Sequence, residues 1–169
     1  MGGMIAQELA LAHPERVRSL ILGCTACGGK QAVLADREVG AALAARATLP
    51  PAESIRLTIP YIYDASTSRD LVEEDVALRI RTAMTNEAFA SQYQAIRSWA
   101  GTYDRLAQLT MPVLVIHGET DRLVPPENGR IIASAIPPAE LVMLPQASHI
   151  FFTDQPEASK RAILPFLER

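Results

Sequence analysis

Val113-Leu114-Val115-Ile116-His117-Gly118-Glu119-Thr120-Asp121-Arg122-Leu123-Val124-Pro125 begins as an aliphatic run and ends as a polar turn closed by proline. A strand with one face in water alternates polar and apolar residues, so an unbroken run from Pro112 to Ile116 reads as a strand covered on both faces. Strands of that kind belong to parallel sheets, whose neighbours are joined by helical crossovers. Leu141 to Leu144 is a second such run, and Val17-Arg18-Ser19-Leu20-Ile21-Leu22, closed by Gly23, is a third. Helical segments at 127 to 136 and 156 to 168 supply crossovers, and residues 3 to 13 form a further helix stopped at His13-Pro14. The pattern is α/β, with three parallel strands and flanking helices.

Between the first strand and the second lie about eighty residues rich in Ala, Arg and Glu, with helical spacing. Asp70 to Met84 places Leu71, Val72, Val76, Ile80 and Met84 near one face, and Asn86 is read as the cap of another helix running through Tyr93, Ile96 and Trp99. Gly28-Gly29 marks the entrance, Pro50-Pro51 and Pro60 fall within, and Gly101 lies near the exit. These boundaries divide the chain into 1–29, 30–105 and 106–169.

The 169 residues suit one domain with a real core, and 49% hydrophobic with 21% charged residues is ordinary for a globular protein. A net charge of -3 offers no basic field for a phosphate backbone, so nucleic acid is not an expected partner. No apolar run approaches the ~20 residues that cross a bilayer, so no membrane partner is expected either. Cys24-Thr25-Ala26-Cys27 is a lone C-x-x-C without the second ligand pair that structural zinc requires. Two reduced thiols in a loop of a cytoplasmic protein is the plain reading, with a redox switch as the alternative.

Chemistry gathers where strands end, because open α/β sheets place their ligand crevice outside the carboxyl ends of the strands. Asp121 lies in the loop after one strand, and His149, in Leu144-Pro145-Gln146-Ala147-Ser148-His149, lies in the loop after the next. Neighbouring parallel strands are ~4.8 Å apart, so the two side chains can meet. Glu119 is the rival acid, but its place early in the turn aims it at the strand end. Asp121 alone would be a turn residue and His149 alone a hydrogen-bonded histidine; the pair on successive strands carries the functional reading. His13, at a helix end, is structural. His117 ends a strand near Asp121 and is a candidate for lining the crevice, although packing is the preferred role.

The chain opens Met1-Gly2-Gly3-Met4-Ile5-Ala6, which matches the second half of the strand-turn-helix pattern G-x-S-x-G, with the serine expected one residue before Met1. With Asp121 and His149 following in that order, the chain resembles the C-terminal part of the α/β-hydrolase fold family, of the capped serine esterase and enol-lactonase type. The resemblance implies that 1–29 is the elbow helix and sixth strand, 30–105 a helical cap, and 106–169 the last two strands with the acid and histidine loops. It implies a Ser-Asp-His triad in which Asp121 orients His149, and an oxyanion hole that includes the backbone N–H of Met1. No metal or organic cofactor is expected. The implied substrate is a small carboxylic ester or lactone, with Cys24, Tyr61, Trp99 and His117 as lining candidates, and Tyr63 and Tyr103 beside them.

Two alternatives stay open at this point. An aspartate before Met1 would make the relative a haloalkane dehalogenase or epoxide hydrolase, although small residues after the nucleophile fit the serine version better. In the hydrolase reading the isolated chain, lacking its serine, is expected to be inactive; the other alternative is a non-catalytic remnant or interaction module. In either case the strand at Leu20 to Leu22 would lack the neighbours of its family on one side, and self-association through that edge is expected.

Overall fold

The computed structural model describes residues 1–137 and 139–169. Its sheet has three parallel strands in the order β1 (Leu20–Gly23), β2 (Val113–Gly118) and β3 (Ala139–Leu144). The registers Leu20↔Val113 and Val113↔Ala139 bring the three strands to nearly one line. β2 is central and buried at every position, as its sequence requires. β3 begins earlier than expected and is largely half-exposed, with Glu140 and Leu141 in solvent, because it forms an edge rather than the interior. Val17 to Ser19 fall outside β1, whose pairing starts at Leu20.

Side chains of a strand alternate between faces, and β2 shows this directly. Val113 and Val115 join Leu20, Leu22, Leu106, Ile132 and Ile136 on one face, covered by α1 (Gly2–Ala12) and α7 (Glu127–Ala135). Ile116 joins Cys24, Leu144, Ala147 and Phe151 on the other, covered by α8 (Pro156–Leu167) with Ala162 and Ile163. The result is a sheet between two helical layers. Each fully buried aliphatic side chain, such as Leu22 or Ile132, contributes roughly 1.5–3 kcal/mol through burial.

Between β1 and β2 the chain runs through α2 (Arg37–Ala45), α3 (Pro51–Leu57), α4 (Ile59–Ile62), α5 (Arg69–Arg81) and α6 (Asn86–Ser98). This stretch has its own core of Val39, Ala42, Ile55, Tyr61, Ile62, Tyr63 and Val76, which also takes in Ile150 and Leu123 from the loops after β3 and β2. The helices therefore sit over the carboxyl ends of those strands. Asp36 caps α2 through Val39 N–H. Thr85, not Asn86, caps α6, accepting from Ala88 N–H; its short hydroxyl reaches the amide three residues on. Asn86 lies one residue inside and donates to the Leu49 carbonyl instead.

The two ends of the insertion meet in a narrow neck. Thr102 N–H donates to the Cys27 carbonyl at 2.8 Å, and Gly28 and Gly101 both have positive φ, 68° and 93°. A methyl group at Gly28 would lie 2.5 Å from the Trp99 ring, and one at Gly101 would lie 2.7 Å from the Cys27 carbonyl. Glycine is thus required there by space as well as by backbone conformation.

Candidate active site

Helix α1 runs back against β1, so its first residues lie at the same end of the sheet as the carboxyl ends of the strands. Gly3 packs on Thr25, with room for no side chain: a methyl group would be 2.6 Å from the Thr25 Cβ. Gln7 Nε2 donates to the Ala26 carbonyl at 3.1 Å, and the buried Thr102 hydroxyl donates to Gln7 Oε1 at 2.6 Å. The Met1 carbonyl accepts from Met4 and Ile5 N–H, opening the helix. Burial lowers the pKa of the Met1 amino group below its usual value.

The loops after β2 and β3 meet at that same end. Asp121 is buried, and its Oδ1 accepts from Val124 N–H at 2.8 Å while its Oδ2 accepts from His149 Nδ1 at 2.9 Å. A carboxylate only accepts, so the His149 proton faces Asp121 and Nε2 is left for a reacting group. The His149 side chain is 26% exposed against 0% for the Asp121 side chain: the carboxylate is sealed and the imidazole is partly open to solvent. Burial, the largest influence on the Asp121 carboxyl, pushes its pKa up. Hydrogen bonds from His117, His149 and Val124 N–H, with the His149 charge, outweigh it and hold the group below the usual carboxylate range.

The backbone around His149 is pinned on every side. Thr120 N–H donates to the Ala147 carbonyl at 2.9 Å, and Ile150 N–H donates to the Ile62 carbonyl at 2.9 Å. Asp154 Oδ2 accepts from Ser148 N–H at 2.7 Å and from Asp64 N–H at 3.2 Å, while Oδ1 accepts from the Thr67 hydroxyl at 2.6 Å. Burial pushes the Asp154 carboxyl up despite these bonds. Asp154, Asp64, Thr67 and Thr120 carry no motif in the sequence; they are ordinary polar residues whose role exists only after the loops are brought together.

His117 is fully buried. Its Nε2 lies 2.9 Å from the Val124 carbonyl and 3.4 Å from Asp121 Oδ2. Both are acceptors, so Nε2 carries the proton and Nδ1 is a buried lone pair against Gly129, without a partner among the described residues. Cys24 is buried with φ 43°, in the left-handed region that non-glycine residues rarely enter. Its thiol accepts from Gly118 N–H at 3.5 Å and donates to the Ser148 carbonyl at 3.6 Å. Burial, followed by the neighbouring Asp121 charge, pushes its pKa up, so it stays a thiol.

Donor atoms of Cys24, His117 and Asp121 lie within 4.8 Å of one another. Soft and hard donors of this mix suit zinc, but each is already engaged with a protein partner, and a metal would have to break those bonds. Cys24 and Cys27 are both free thiols in different core clusters, and burial raises the pKa of each, which lowers thiolate reactivity.

Of the aromatic lining candidates, Tyr61 packs beside the histidine loop, its carbonyl accepting from the Ser148 hydroxyl at 3.4 Å and its own hydroxyl donating to Glu38. Tyr63 donates its hydroxyl to Asp75 within the helical insertion. Trp99 sits at the neck and donates to Glu8 at 2.8 Å, and Tyr103 is at the surface in the turn that follows. The structure therefore gathers Asp121, His149, His117, Cys24 and Tyr61 at one locus, puts Trp99 beside α1 and leaves Tyr103 at the surface.

The insertion is strapped to the acid loop and to the first turn of α7 by two side chains the sequence did not single out. Asn128, fully buried, exchanges hydrogen bonds with Val33 N–H and carbonyl at 2.9 and 2.8 Å, and Arg122 bridges Asp36 and Glu38.

A family profile described as the alpha/beta hydrolase fold matches residues 1–156. The 2-hydroxy-6-oxononadienedioate/2-hydroxy-6-oxononatrienedioate hydrolase of Burkholderia vietnamiensis is 31% identical over 100% of this chain and 60% of its own length. A pimeloyl-[acyl-carrier protein] methyl ester esterase of Yersinia enterocolitica is 27% identical over 100% of this chain and 67% of its own length. The crystal structure of the enol-lactonase from Burkholderia xenovorans superposes with a TM-score of 0.77 at 26% identity, covering 100% of this chain and 63% of that one. The chain thus spans about three fifths of the length of the curated relatives it matches first.

Proposed function

The chain belongs to the alpha/beta hydrolase fold family, and on that premise we propose that it is the C-terminal portion of a hydrolase acting on a small carboxylic ester or lactone. In this reading His149 is the general base and Asp121 its orienting acid. The nucleophile is a serine immediately before Met1 in the full-length protein. The helical stretch between β1 and β2 is the cap over the crevice. The observation that carries the proposal is the His149 Nδ1 to Asp121 Oδ2 bond at 2.9 Å, with the acid sealed and the base partly open.

The steps follow from the bond directions. His149 Nε2 takes the serine proton as the hydroxyl attacks the carbonyl, and the buried Asp121 carboxylate stabilises the imidazolium that results. The same Nε2 then returns the proton to the leaving alcohol. Water attacks the acyl-enzyme by the same route. The Met1 amide, which would face the developing oxyanion in the intact chain, lies at the head of α1, where helix dipoles and backbone N–H groups favour negative charge. An ester relative and an enol-lactonase neighbour support this substrate class.

The test is turnover by the full-length protein of 4-nitrophenyl butyrate and of dihydrocoumarin, beside its His149→Ala variant. Hydrolysis of at least one substrate that is lost in the variant is expected; hydrolysis undiminished in the variant, or turnover of neither substrate, would contradict the reading.

A further inference from the structure

We infer that the Cys24 thiol is a positioning residue that ties the acid loop to the histidine loop and so sets the Asp121–His149 pair. This rests on the hydrolase reading of the site for its consequence in turnover, and on geometry for the rest. Gly118 ends β2 and starts the acid loop; Ser148 immediately precedes His149. Cys24, just past the end of β1, is among the described residues the one side chain that bonds to the backbone of both, accepting from Gly118 N–H at 3.5 Å and donating to the Ser148 carbonyl at 3.6 Å.

Three further facts point the same way. The two loops touch so closely that a methyl group at Gly118 would lie 2.3 Å from the carbonyls of Ala147 and Ser148. The other side of the Ser148 residue is held by Asp154, which accepts Ser148 N–H at 2.7 Å, so the Cys24 bond completes the restraint on the chain entering His149. The Cys24 backbone itself is held at φ 43°, anchored by its N–H on the Ile116 carbonyl at 3.0 Å. A residue kept in that region without being glycine is held there by its surroundings, and the thiol supplies the reason. The pKa of the thiol is raised, first by burial, which keeps its S–H in place as a donor across the working pH range.

The experiment compares Cys24→Ser, Cys24→Ala and Cys24→Gly in the full-length protein. The readouts are the titration midpoint of the His149 ring by proton NMR, the low-field resonance of its Nδ1 proton, and kcat/KM. Serine keeps a donor and an acceptor; alanine keeps the Cβ and loses both; glycine loses both and relieves the positive φ, giving a second thiol-free variant whose fold is checked by circular dichroism. Alanine and glycine are expected to shift the His149 midpoint, to broaden or lose the low-field signal, and to lower kcat/KM by about tenfold, the size of one or two misplaced buried bonds, with serine within about threefold of the parent. An unshifted His149 midpoint in the alanine variant, even with a lowered melting temperature, would overturn the inference, as would a glycine variant that behaves as the parent. Should the parent itself hydrolyse nothing, the hydrolase reading fails, while the NMR titration still decides the role of Cys24.

Discussion

Replacing Asp121 by asparagine changes one atom in a sealed site, and the geometry says what must follow. In the parent, Oδ1 accepts from Val124 N–H at 2.8 Å and Oδ2 accepts from His149 at 2.9 Å. An amide has one acceptor. If its oxygen stays on Val124, its NH2 group faces His149 Nδ1, which must then accept, and the ring proton moves to Nε2, where it blocks the base. If the amide flips, its oxygen restores the His149 bond but its NH2 group opposes Val124 N–H, leaving a buried donor unpaired at a cost of about 1–3 kcal/mol. The flip therefore holds the productive tautomer to roughly 1–20% of molecules, since about 1.4 kcal/mol is a factor of ten. The lost carboxylate opposite the imidazolium multiplies that loss, giving a fall in kcat of roughly 10³–10⁴. The assay is steady-state ester hydrolysis by the full-length protein near pH 8, where KM should change little, with circular dichroism to show that the near-isosteric variant is folded. A folded Asp121→Asn variant within tenfold of the parent in kcat would refute the reasoning.

Three other outcomes follow from the same contacts. Gly118→Ala would place a methyl group 2.3 Å from two backbone carbonyls that cannot move without moving His149, so a loss of at least about 3 kcal/mol in urea unfolding is expected, together with loss of turnover. Asn128→Ala removes the bonds to Val33 N–H, the Val33 carbonyl and the Pro125 carbonyl, and should cost about 2–4 kcal/mol with faster amide exchange at the start of the helical insertion. The Asp121 carboxyl has its pKa lowered in the folded protein, so its contribution to stability is present above its ordinary value of ~3.9 and is lost as pH falls through the lower folded value. In acid unfolding, Asp121→Asn should therefore flatten the decline of stability below about pH 4 relative to the parent.

What could be read from the sequence was what repeats or follows chain order. The unbroken apolar run at Val113 to Ile116 announced a buried central strand because burial on both faces leaves no polar positions. The order Asp121 then His149, each just past a strand, announced their meeting because parallel strands align their carboxyl ends. The edge character of β3 was hidden, since Leu141 to Leu144 is as apolar as a buried strand and only the sheet order exposes one side of it. The Thr85 cap was misplaced by one residue because threonine and asparagine adjoin there and both are able to cap. Asp154, Arg122 and Asn128 were not visible at all. Asp154 joins Ser148, 6 residues away, to Thr67 and Asp64, 87 and 90 away; Arg122 reaches 84 and 86 residues and Asn128 reaches 95 to Val33, and no local spacing encodes such pairs. Cys24 drew notice only as half of a C-x-x-C pair, whereas its contacts run to Gly118 and Ser148 on the neighbouring loops.

We propose that Asp121 and His149 serve a serine placed directly before Met1. Labelling the full-length protein with a fluorophosphonate and locating the adduct by mass spectrometry tests this most directly. One adduct is expected, on a serine joined to Met1, and it disappears in His149→Ala. An adduct on a residue within 1–169, or labelling that persists undiminished without His149, would contradict it.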